Sequence, residues 1–251
     1  MAPIAELTAE RPIYGWRARI GYCSPPYVTE TFCFEFYQMV PDGVTLLIKT
    51  LEVRTRAADE IAASHTAALE AAHYMARAGA DVVVLGGNPV NQAQGVENLG
   101  DICAQLAAEI GTKVITSTQA QTEALAALGA RKVAQVHCYE ADDNARHAQS
   151  IRNMGVEAAG VIGLGYADHE VGRIPGALAL EAARRVKAEN PEADCIHLAS
   201  AHWAIAHAID QIEAELNVTV MTSQQAITWK ALRTAGVTDA IDGYGRLLRE
   251  H

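Results

Sequence analysis

Thr116-Ser117-Thr118-Gln119-Ala120-Gln121-Thr122 returns later in the chain as Thr222-Ser223-Gln224-Gln225-Ala226-Ile227-Thr228. Each copy follows a short β-branched run and opens a stretch of helical period that closes on a glycine, Gly129 in the first and Gly236 in the second. The likeness extends upstream. Ala80-Asp81-Val82-Val83-Val84-Leu85-Gly86-Gly87 parallels Ala193-Asp194-Cys195-Ile196-His197-Leu198-Ala199-Ser200, and Arg19-Ile20 parallels Lys132-Val133. Strand, turn and helix therefore recur in the same order, which makes the chain two copies of one βα arrangement. The Thr and Ser residues that open each repeated helix also suit plain helix caps, so the repeat by itself describes a scaffold and leaves the chemistry open.

The same alternation fills the rest of the chain. It predicts strands over 17–23, 44–49, 81–85, 113–115, 132–138, 157–162, 195–199 and 219–221. Helices are predicted over 29–40, 57–78, 96–109, 118–128, 141–154, 176–189, 203–215 and 223–234. Gly79, Gly129, Gly155 and Gly236 mark helix ends, and Thr29 and Asp142 mark helix starts. Short strands alternating with helices are the mark of parallel βα units. The expected class is α/β, built as two pseudo-symmetric, flavodoxin-like halves with parallel sheets and a cleft between them. Residues 17–117 and 223–251 are expected to form the first half and 118–222 the second, after an N-terminal extension of residues 1–16. Ligands of open α/β sheets sit beyond the carboxyl ends of the strands, so a ligand belongs between the halves.

Composition narrows the function classes. The 251 residues carry a formal charge of −10, which argues against nucleic acid and anionic membrane as partners because both require clustered Lys and Arg. No apolar run reaches the ~18 residues of a membrane span. The first residues lack the basic start and apolar centre of a signal peptide. Cys23, Cys33, Cys103, Cys138 and Cys195 are scattered without metal-ligand spacing, and a reducing, cytoplasmic setting is expected. Asp142-Asp143 has no evident third ligand, so no metal is expected. The Gly-rich stretch 163–175 lacks the GxGxxG pattern of a nucleotide site. It reads as a loop with the option of closing over the cleft.

Four segments end strands and should meet there: Gly21-Tyr22-Cys23-Ser24-Pro25-Pro26-Tyr27, Leu85-Gly86-Gly87-Asn88-Pro89, His137-Cys138-Tyr139 and Leu198-Ala199-Ser200-Ala201-His202-Trp203. Gly86-Gly87 allows backbone N–H groups to approach a ligand closely, and Asn88 adds side-chain donors. Helix N-termini behind these turns favour an anion. Pro25, Pro26 and Tyr27 supply apolar surface, as Trp203 does unless it lies in the core. The expected ligand is a small carboxylate.

Arg19-Ile20-Gly21 followed by Pro25-Pro26 is similar to the opening strand and loop of arylmalonate decarboxylases and maleate cis–trans isomerases. Tyr139 followed by Asp142-Asp143-Asn144, and the late Gly243-Tyr244-Gly245-Arg246-Leu247-Leu248, carry the same resemblance. It places the chain in the aspartate/glutamate racemase superfamily and runs from Arg17 to Leu248. Racemases and maleate isomerases face two cysteines across the cleft, and the matching positions here are Gly87 and Ser200. Decarboxylases keep a glycine at the first and a proton-donating cysteine at the second. Their carboxylate-binding Thr and Ser correspond to Asn88 and Pro89, and their tyrosine is retained as Tyr139.

The resemblance thus implies a cofactor-independent lyase that decarboxylates a small malonate-type acid through an enediolate-like intermediate. Gly87, Asn88, Tyr139 and the backbone around Ser200 and Ala201 would hold that intermediate. Pro25, Pro26 and Tyr27 would strip water from the departing carboxylate. A serine hydroxyl is a far weaker acid than a thiol, so Ser200 shares the proton-returning role with His202, which titrates near neutrality. His137, His207 and the thiols of Cys23 and Cys138 are weaker candidates, and Cys195 reads as core. Two alternatives stand beside the lyase: a maleate-type isomerase or hydrolase recruiting Ser200 and His202, and a catalytically silent carboxylate-binding protein. A homo-oligomer is compatible with either.

Overall fold

The computed structural model describes residues 12, 14–26, 29–53 and 57–251. Strands β1 (Ala18–Pro26), β2 (Val44–Val53), β3 (Val82–Leu85) and β4 (Lys113–Thr116) form one parallel sheet in the order β2-β1-β3-β4. Strands β5 (Lys132–His137), β6 (Glu157–Gly163), β7 (Cys195–Ala199) and β8 (Thr219–Thr222) form a second in the order β6-β5-β7-β8. The second order is the first shifted by four strands, so the duplication read from the sequence is a duplication of the sheet. Register repeats as well. Ile20 lies opposite Val82 in the first sheet, and Val133 opposite Cys195 in the second.

Among the described residues, ten α-helices surround the sheets: α1 (Glu30–Met39), α2 (Ala58–Arg77), α3 (Asn88–Gln92), α4 (Leu99–Ile110), α5 (Ser117–Ala127), α6 (Asn144–Asn153), α7 (Leu178–Glu189), α8 (Ile209–Leu216), α9 (Ser223–Ala235) and α10 (Arg246–Glu250). The repeated phrase builds matched starts for α5 and α9. Thr116 Oγ1 accepts the Gln119 N–H at 3.0 Å, and Gln119 Oε1 accepts the Thr116 N–H at 3.1 Å. Thr222 and Gln225 repeat the pair at 3.0 and 3.2 Å. Both are capping boxes. They place Ser117 and Ser223, one residue on, at the same point of their halves.

Helix α9 follows the last strand of the second sheet yet packs on β1 and β3 of the first and alongside α5. One apolar cluster runs through both halves, from Ile20, Val82 and Val84 to Val136, Ile196 and Leu198. The expected helix over 203–215 begins only at Ile209, because residues 202–206 bond to α1 instead of to one another. Thr31 Oγ1 donates to the His202 carbonyl at 2.7 Å, and the Ala206 N–H donates to Glu35 Oε1 at 2.6 Å. Neither Thr29 nor Asp142 makes the cap expected of it: Thr29 precedes α1 without a side-chain cap bond, and Asp142 lies in a 3₁₀ turn.

Candidate functional site

A cleft of about 1010 Å³ opens at the carboxyl ends of the strands of both sheets. Pro25, Pro26, Val53 and Ile61 make its apolar side, and Asn88, Ser117, Gln121, Gln135, His197 and Ser223 line a polar side. Gly87, Tyr139, Ser200, Ala201 and His202 also border it, so the strand-end residues expected to converge do so. Tyr27 lies outside the described residues. Trp203 is 1 % exposed and belongs to the core rather than to a pocket wall. The stretch after β6 is anchored by buried Val171 and Ile174, while Asp168 from it reaches the cleft.

The two positions that correspond in the duplicated halves, Gly87 and Ser200, are unlike. Gly87 has φ +88°, a region that non-glycine residues rarely enter. A Cβ added there would fall well inside van der Waals contact with Pro25 Cγ. The proline ring thus occupies the space a side chain would need. Ser200, half-buried at the end of β7, keeps its hydroxyl and accepts the His202 N–H at 3.2 Å. The Cys138 thiol lies beside the Ser200 hydroxyl, and burial pushes it up, out of the range of a useful acid. Burial does the same to Cys23, raised to about 12.

His202 is more deeply buried than its place in the sequence suggests. Its ring is 5 % exposed, its Nε2 is 3.3 Å from Ser24 Oγ, and burial lowers its pKa to about 3. Burial thus favours the neutral imidazole, the form that does not donate as a general acid. His202 contacts Ser200 through its backbone N–H, so the Ser200–His202 side-chain pair that a hydrolase would recruit is not formed. His137 is occupied at both ring nitrogens. Its Nδ1 accepts the Tyr139 N–H at 3.2 Å, and its Nε2 is 2.8 Å from Asn144 Oδ1. His207 does not border the cleft. Asp143 is paired with Arg146 at 2.6 Å.

Asn88 is fixed by the helix that the first copy of the repeat begins. Its Oδ1 accepts from Thr118 Oγ1 and Gln121 Nε2, both at 3.0 Å, and its Nδ2 donates to Gln121 Oε1 at 3.2 Å. Gln121 leads onward to residues that sequence reasoning passed over. Ser223 Oγ donates to Gln121 Oε1 at 3.2 Å, and His197 Nε2 is 3.1 Å from Ser223 Oγ. Gln135 Nε2 lies 2.7 Å from His197 Nδ1, and Gln135 Oε1 lies 3.0 Å from His147 Nδ1. The signal was present in the repeat. Register makes Gln135 and His197 the counterparts of Tyr22 and Val84, and polar residues replacing a tyrosine and a valine at matched strand positions mark a place where the copies differ in task.

The comparisons with known proteins agree with this geometry. A family model described as arylmalonate decarboxylase matches residues 20–248. An arylmalonate decarboxylase of Bordetella bronchiseptica is 30 % identical over 181 residues, spanning 71 % of this chain and 75 % of that protein. A liganded arylmalonate decarboxylase with one glycine-to-cysteine and one cysteine-to-serine substitution superposes with a TM-score of 0.84 at 25 % identity, covering 93 % of this chain and 100 % of that one. The maleate cis–trans isomerase of Nocardia farcinica, bound to Tris, shares the fold with a TM-score of 0.81 at 23 % identity, covering 93 % of this chain and 98 % of its own. Two matched parallel sheets, a cleft at their carboxyl ends and a family match over nearly the whole chain lead to one assignment: the protein belongs to the arylmalonate decarboxylase family.

Proposed function

We propose that the protein decarboxylates a small 2-substituted malonate without a cofactor. The observation that carries this reading is the pairing of an apolar side, formed by Pro25, Pro26, Val53 and Ile61, with a polar side centred on Asn88 in one cleft. One carboxylate lies against the donors: Asn88, the backbone beyond Gly87, and Tyr139. The other faces apolar groups that solvate a carboxylate poorly and neutral CO₂ well, so its departure is favoured. Charge left behind is stabilised as an enediolate by donors already in place, without reorganisation. Ser200 donates a hydrogen bond to the same intermediate. The proton that completes the reaction arrives from the wall on which Ser200 stands.

The test is an NMR time course in D₂O with a panel of 2-aryl- and 2-alkylmalonates. The expected outcome is loss of one carboxylate with a single deuterium on the α-carbon. Ser200→Ala is expected to lower kcat by ~10-fold or more through the lost donor. Ser200→Cys, which supplies a stronger acid at the same position, is expected to raise it above wild type. Ligand broadening with no chemical change in any arm, the cysteine variant included, would leave a carboxylate-binding protein as the function.

A further inference from the structure

The two copies of the repeated phrase agree at the residues that cap and differ at two residues that do not. Thr118 and Gln121 of α5 stand where α9 has Gln224 and Ile227. Thr118 and Gln121 both bind Asn88. Their counterparts do other things. Gln224 Nε2 donates to the Phe32 carbonyl at 2.7 Å, and Ile227 presents an apolar side chain at the cleft. The strand-end match that sets Gly87 against Ser200 sets Asn88 against Ala201. A hydrogen-bonded couple in one half, Asn88 and Gln121, therefore corresponds to two apolar residues in the other, Ala201 and Ile227. All four border the cleft.

One backbone group fixes which end of the Asn88 carboxamide is which. A carbonyl oxygen only accepts hydrogen bonds. Gln121 Nε2 lies 3.0 Å from the Ser117 carbonyl oxygen, so that end of the Gln121 carboxamide is the nitrogen. The same nitrogen lies 3.0 Å from Asn88, so the Asn88 atom facing it is the oxygen. That oxygen also takes the Thr118 hydroxyl at 3.0 Å and the Ser117 hydroxyl at 3.4 Å, which fills its two lone pairs. Asn88 Nδ2 gives one hydrogen to Gln121 Oε1 at 3.2 Å. Its second hydrogen has no partner among the described residues. From α9, the Ser223 hydroxyl donates to Gln121 Oε1 at 3.2 Å and completes the set. Ser117, Thr118, Gln121 and Ser223 are all buried, whereas Asn88 is only half-buried. Turning the Asn88 carboxamide over would set nitrogen against nitrogen and leave buried groups unsatisfied.

We propose that Gln121 is a positioning residue that makes Asn88 a fixed donor to the carboxylate the substrate keeps, and that the difference between Gln121 and Ile227 assigns that carboxylate to the Asn88 end of the cleft. The identity of the ligand rests on the decarboxylase reading. A carboxylate only accepts hydrogen bonds, so it takes the second Nδ2 hydrogen and would be repelled by Asn88 Oδ1. When the carbon–carboxylate bond breaks and CO₂ leaves, the electron pair spreads from the α-carbon into the retained carboxylate as an enediolate. The donor that already holds this group then holds more charge, and no reorganisation is needed because the carboxamide is locked. Gln121 touches no reacting atom. It acts through Asn88, as Thr118 does. At the matched place Ala201 and Ile227 offer a carboxylate no side-chain donor, so the two ends of the cleft are not interchangeable.

Side-chain amide NMR of the isotope-labelled protein, titrated with phenylacetate, tests the donor without turnover. The Asn88 Nδ2 hydrogens are expected to shift as the carboxylate binds. Asn88 signals that phenylacetate leaves in place would overturn the proposal. Gln121→Ile copies the residue at the matched place in α9. It is expected to weaken phenylacetate binding ~10-fold or more, while 2-phenylethanol, which shares the ring and lacks the charge, binds as it does to wild type. Equal weakening of both probes would make Gln121 a structural residue only and would sink the idea, as would no weakening of either. Gln121→Met, unbranched and close in length, is expected to separate the two probes in the same way and serves where the isoleucine variant fails to fold. Should the wild-type protein leave every malonate intact while the two probes separate as described, decarboxylation is the reading that fails and the positioning of Asn88 stands.

Discussion

Glu35 shows how a single residue escapes sequence reading. On an amphipathic helix it resembles any solvated carboxylate, yet it is 2 % exposed, with Oε1 accepting the Ala206 N–H. Burial raises its pKa to about 7 despite bonds from the Ala206 and Ile205 backbone. Between its ordinary value of 4.5 and 7 the folded protein holds a proton that the unfolded chain has lost. Stability therefore falls as pH rises through that window and levels off above it, a loss on the order of 3 kcal/mol. Glu35→Gln keeps the acceptor for Ala206 and removes the titration. Urea unfolding is expected to show the variant gaining on wild type as pH climbs from 4.5 to 7, with a constant advantage beyond. His202 shows the same effect: its type and place in the chain suggest an acid, while burial beneath α1 favours the neutral ring. The places of Gly87 and Tyr139 at the cleft were legible from their strand-end positions.

At the scale of elements, six of the eight strands were readable to within a residue at each end, because β-branched runs bounded by helix-ending glycines leave little choice, while β1 and β2 run three and four residues beyond their expected ends. The loop from Ser200 to Ala208 was not, since its sequence suits a helix and its backbone partners come from α1, far away in the chain. Short α3 and α10 carry too few turns for periodicity to register. The repeated phrase was legible as a repeat and ambiguous as chemistry, and the structure divides it: the threonine and the third-following glutamine cap, while Ser117 and Ser223 line the cleft. Thr116→Ala and Thr222→Ala should each lower stability by about 1 kcal/mol in chemical denaturation. Ser223→Ala, lying within the buried polar chain, is expected to lower stability by a similar amount or more.

Across the whole molecule, the two halves share a frame and divide the labour. Duplication, sheet order and the cleft between the sheets follow from patterns that any single βα unit displays. The difference between the halves depends on a few substitutions at matched sites: Gln135 and His197 where the first half has Tyr22 and Val84, and Ser200 where it has Gly87. The blank wall at Gly87 and Pro25 has a consequence for the shape of what leaves the cleft. An enediolate is flat, and its two faces become mirror-image products when the central carbon carries three different groups. A proton donor on one wall and a proline ring on the other allow delivery to one face only. If decarboxylation runs as proposed, a 2-aryl-2-methylmalonate should therefore leave as one enantiomer in large excess, measurable by chiral chromatography, with the handedness set by which of the two matched positions carries no side chain.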